Sequence, residues 1–76
     1  MSQESYRITK LLEHWIEHND EHVKRFRVVA EEASSASLED VAKYMRLAAE
    51  KGDEVKTHLQ KALNSLNDKS ELKNGH

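Results

Sequence analysis

His14, His18 and His22 recur at intervals of four residues. On a helix that interval is one turn plus about 40°. The three imidazoles therefore form a slanting row, and adjacent members can enter one coordination sphere. Histidine is a middling helix former, so helix propensity does not explain three of them so close together. The chain has no cysteine, which leaves nitrogen and oxygen donors. That set suits Zn²⁺, Ni²⁺, Co²⁺ or Cu²⁺. Glu21, beside His22, can ligate directly or hold an imidazole N–H from outside the coordination sphere. A further His, His58, follows Glu54 by four residues.

Other chemistries that the same residues evoke fail on their own requirements. His18-Asn19-Asp20-Glu21-His22 matches the H-x-x-E-H string of zinc metallopeptidases. Such an enzyme needs a distant third ligand and a cleft, and a chain of 76 residues is too small to build them. Bundle di-iron sites use Glu-x-x-His, but the residues three before the histidines are Leu11, Trp15, Asn19, Val55 and Lys73. Ser34, Ser35 and Ser37 have no His and acid arranged around them as a triad. No glycine-rich phosphate loop is present. Catalysis is therefore not expected, and no catalytic residue is assigned. Haem remains admissible, because two copies of a core histidine could face one another. Trp15, Asn19 and His22 are the candidates to line such a cofactor.

These residues must be positioned by helices. From Gln3 to Ala33 the apolar residues fall at spacings of three and four, and they do so again from Leu38 to Leu66. Proline is absent and glycine occurs only at Gly52 and Gly75, so long helices are uninterrupted. Ser34-Ser35-Ala36-Ser37 breaks the pattern, as a serine-rich turn does. Ser37 followed by Asp40 reads as a capping box. The expectation is an all-α antiparallel hairpin in residues 1–66, with helices over 3–33 and 38–66, a turn over 34–37, and a flexible polar tail over 67–76. Each helix would reach roughly 40 Å.

The apolar pattern is interrupted at one level. Asn19 and His22 fall on the core line of the first helix, while Ala48, Ala49 and Gly52 fall on that of the second. Folding back at Ser35–Ala36 puts Asn19 near Gly52, His22 near Ala49 and His58 level with His14. Polar groups facing small ones either set register, as a core Asn does in coiled coils, or leave room for a ligand. By angle His58 points away from the core stripe.

Bulk properties narrow the remaining roles. Hydrophobic residues make up 37% and charged residues 34%. A core this small needs reinforcement by a metal or by self-association. Two copies forming a four-helix bundle would bury the stripes, so a homodimer is expected, with another protein as the other admissible partner. The net charge of −2 does not indicate a nucleic-acid or anionic-membrane binder. No apolar run is long enough to span a membrane, and the start of the chain does not read as a leader, so a cytoplasmic location is expected.

The string from Leu11 to Asn19, followed by Glu21-His22, resembles a signature of small uncharacterised helical proteins of anaerobic microbes. There, a His-Trp-x-x-His-Asn-x-x-His string opens a two-helix module. The resemblance runs over residues 8–66. It implies that His14, Trp15, His18, Asn19 and His22 act as one unit, and it implies no substrate or reaction. The reading from sequence is a metal- or metallocofactor-binding module. The alternative is a ligand-free structural or protein-interaction dimer whose polar layer sets register.

Overall fold

The computed structural model describes the backbone of residues 2–74 and the side chains of residues 2–68. It contains two helices, α1 (Gln3–Ser35) and α2 (Glu39–Asn74). They pack side by side into a hairpin with extents of 59 × 16 × 12 Å.

Local chemistry sets the ends. Ser2, in extended conformation, caps α1: its Oγ accepts the Ser5 N–H at 3.0 Å. At the other end the Leu38 N–H donates to the Ala33 carbonyl at 2.8 Å, and the Ser37 N–H donates to the Ser34 carbonyl at 3.0 Å. These two bonds form a Schellman closure, which requires a left-handed residue at its corner. Ser37 is that residue, with φ 63°. The capping box expected at Ser37 is thereby corrected, because an N-cap needs extended backbone and Ser37 is left-handed. Ser34 Oγ instead donates to Glu39 Oε1 at 3.3 Å. α1 thus runs two residues beyond Ala33. α2 also continues to Asn74 rather than stopping at Leu66. Lys, Glu and Leu after that point are good helix formers although no apolar stripe continues. The last two residues of the expected tail, 75–76, lie outside the described residues.

The seam between the helices keeps a heptad spacing. On α1 it runs Leu12, Ile16, Asn19, Val23, Phe26, Ala30 and Ala33, and on α2 Ala42, Met45, Ala49, Gly52, Lys56, Leu59 and Leu63. All are buried or half-buried except Lys56. Alternating steps of four and three are those of an antiparallel coiled coil, whose helices underwind to 3.5 residues per turn. That underwinding decides the polar layer. Val23 takes the seam at 4% exposure, and His22 turns outward and is exposed. The expectation of His22 in the core beside Ala49 is therefore wrong. A buried imidazole would need partners for both nitrogens, whereas valine needs none.

Asn19 does meet Gly52: its Nδ2 donates to the Gly52 carbonyl at 2.8 Å. The helices approach closely here, since a Cβ on Gly52 would overlap Val23 Cγ2. Lys56, on the seam but too polar to enter it, turns its ammonium to Asp20 Oδ1 at 3.3 Å.

Candidate metal centre

The histidine row begins on the outer side of α1 and winds toward the hairpin seam. His14, His18 and His22 are all exposed. The His14 and His18 ring centroids are 5.8 Å apart. Those of His18 and His22 are 4.6 Å apart and tilted by 49°. The His22 ring in turn stacks near Phe26, with centroids 6.1 Å apart and planes 27° from parallel. Consecutive members of the row are thus within the reach of a shared ligand, and His18–His22 is the tighter pair.

Two clefts flank the row. An open groove of about 340 Å³ is lined by Trp15, His18, Asn19 and His22 from α1 and by Val55 and Leu59 from α2. Its walls are apolar except for the two imidazoles and the Asn19 amide, and the Asn19 Nδ2 is already committed to Gly52. On the outer side, His14, Glu17, His18 and Glu21 line a smaller cleft of about 120 Å³. His18 belongs to both. Glu21 therefore stands on the outer side of the row, with His14 and His18. His58 is exposed on α2 and lines neither cleft. The antiparallel register that brings Asn19 to Gly52 does not bring His58 to the row.

The arrangement offers two imidazoles side by side, a third a turn away, carboxylates on the outer flank and an apolar wall inside. Among the described residues, no group of three His, Asp or Glu side chains in one hairpin is placed to hold an ion. A four-coordinate ion placed on His18 and His22 would need its other donors from outside the hairpin. Lys56 and Lys24 stand beside Asp20 at 3.3 and 3.5 Å, and the hydrogen bond from Lys56 holds its carboxyl below the usual carboxylate range.

Val55 and Leu59 were not singled out in the sequence as site residues. The signal for Val55 is the recurrence of Val41, Ala48, Val55 and Ala62 every seven residues beside the α2 seam, and Leu59 lies on the seam itself.

Residues 8–66 match the model of a family described as a domain of unknown function, DUF8180. The chain is also similar to an uncharacterised protein of Archaeoglobus fulgidus, with 43% identity over 60 residues, covering 79% of this chain and 95% of that protein. No solved structure matches. No helix among the described residues is long and apolar enough to cross a membrane.

Proposed function

We propose that this chain, which belongs to the DUF8180 family, is a small metal- or metallocofactor-binding helical module. Its ligands are His18 and His22, with His14 and Glu21 assisting from the outer cleft. The observation that carries this reading is the placement of the His18 and His22 rings, 4.6 Å apart, on the wall of an otherwise apolar groove. Imidazoles one turn apart suit a late first-row ion. The apolar walls of Trp15, Val55 and Leu59 suit the face of a cofactor such as haem, which supplies its own equatorial nitrogens and needs only axial imidazole. A second copy of the chain supplies the donors a bare ion still lacks.

The test is titration of tag-free protein with Co²⁺, followed by its visible absorption, beside His18→Ala, His22→Ala and His14→Ala. Loss of either inner imidazole weakens binding at least tenfold, the effect typical of losing even an outer partner of a ligand, and loss of His14 weakens it less. Protonation competes with the ion for imidazole nitrogen, so binding also weakens from about pH 8 to about pH 5. Binding that ignores both substitutions and pH would remove the histidines as ligands.

The second reading, a ligand-free structural dimer, has its own observation. The Asn19–Gly52 hydrogen bond is a register device sufficient to account for the polar layer without any ligand. On that reading the alanine variants leave oligomer mass and function in the cell unaltered.

A further inference from the structure

The two long faces of the hairpin differ in a way that single-chain packing does not require. On one side of the seam, α1 presents Glu13, Asp20 and Arg27, and α2 presents Arg46, Asp53 and Gln60. The cross-helix charged contacts, Lys56–Asp20 and Arg27–Asp53, lie here. On the other side, the α1 heptad row is Ile8, Trp15, His22 and Val29. The matching α2 row is Val41, Ala48, Val55 and Ala62. No Asp, Glu, Lys or Arg occurs in either row.

The apolar rows face each other along the molecule. Ile8 and Ala62 share one groove, Trp15, His22 and Val55 share the central one, and Val29 and Val41 share the third. Trp15 is 48% exposed and Val55 47%. Contiguous exposed apolar residues of this kind mark interaction surfaces.

We propose that this face pairs with the same face of a second copy of the chain, and that it does so without metal. Three observations select a second copy. First, the rows are complementary in volume at three of their four levels: Ile8, Trp15 and His22 of α1 stand level with the smaller Ala62, Val55 and Ala48 of α2, while Val29 and Val41 are equal. The α1 row of one copy fits over the shallow α2 row of the other, and a two-fold makes that fit twice. Second, the rows span residues 8–29 and 41–62, roughly 30 Å at about 1.5 Å per residue, on a molecule 16 Å wide. That footprint, about 500 Å² in projection and more in accessible surface, approaches the ~600 Å² per partner at the lower end of specific interfaces. Third, the hairpin's own core is thin. Ala30, Ala33, Ala42 and Ala49 are among its buried residues, and among the described residues no large side chain is fully buried, so a chain of this size requires further burial. Pairing closes the central groove, bringing His22 and the neighbouring His18 of each copy to the interface. The inference goes beyond the ligand reading and does not depend on it.

The experiment uses full-length protein treated with chelator. Sedimentation gives the mass, and acrylamide quenching reads Trp15, the sole tryptophan, across a dilution series. The expected result is a dimer in which Trp15 is quenched several-fold less than in the dilute, dissociated chain. Val55→Glu yields a monomer, whereas Gln60→Glu, on the polar face, remains a dimer. A monomer at every concentration, a dimer with Trp15 freely quenched, or a dimeric Val55→Glu overturns the proposal. Should Val55→Glu unfold, the Trp15 series on the wild-type chain still decides. A metal-free dimer that binds no metal leaves this inference standing and removes the ligand reading. A metal-binding monomer does the reverse.

Discussion

Gly52 shows how one residue fixes the geometry around the histidines. In an exposed helix interior, Gly→Ala gains about 1 kcal/mol of helix propensity. Here the added methyl would overlap Val23 Cγ2, and valine has one strongly preferred rotamer in a helix. Overpacking costs about 1–3 kcal/mol, so Gly52→Ala lowers stability despite the propensity gain, and urea unfolding measures it. Adding Val23→Ala makes room for the methyl, so the double variant loses less than the two single losses combined. A Gly52→Ala chain more stable than wild type would contradict the close approach. Asp20 gives a second prediction. Its folded carboxyl titrates below its ordinary range because of Lys56. Its contribution is therefore complete above the unfolded carboxylate pKa and is lost as pH falls through the lowered folded value. Asp20→Asn flattens that part of the acid limb in a stability–pH series, and an unaltered limb would remove Lys56–Asp20 as its cause. At this scale the Asn19–Gly52 contact was legible in the sequence, because a fold-back register needs only the turn position. The side of His22 was not. Positions 22 and 23 are about 100° apart, and an interruption in an apolar stripe does not say which of them a 3.5-residue repeat draws into the seam.

At the scale of the elements, the hairpin depends on a tight corner in which Ser37 holds φ 63°. A residue with a Cβ pays roughly 1–2 kcal/mol there. Ser37→Gly relieves that strain against a greater loss of unfolded-state entropy, and the net gain is about 0.5–1 kcal/mol. A rise in thermal midpoint checks this, while a fall would place Ser37 in some other role. The helices and the turn were legible because their signals repeat: steps of three and four over each arm, then a serine cluster. The direction of Ser37 was not, since serine favours both the start of a helix and a polar corner after one, and only the hydrogen bonds of Leu38 and Ser37 back to α1 separate the two. The end of α2 was misplaced for a related reason. Apolar periodicity stops at Leu66, but backbone helicity does not need it where good helix formers follow.

At the scale of the molecule, a polar face and an apolar face share one thin seam, and the histidine row winds from the outer surface to the apolar face. This explains why the described residues of one hairpin offer two close imidazoles but no group of three ligands for an ion. The seven-residue rows were present in the sequence, yet the core line and the flanking row overlap in a 3.6-residue projection and separate only once the seam is known. The proposed role of this molecule rests on His18 and His22 holding a metal or metallocofactor. Native mass spectrometry of tag-free protein, purified without chelator and then offered Ni²⁺, Co²⁺, Zn²⁺, Cu²⁺ and haem in turn, tests it most directly. The expected result is a stoichiometric added mass that the His18→Ala/His22→Ala double variant does not retain. A wild-type chain that keeps its bare mass under every one of these additions would contradict it.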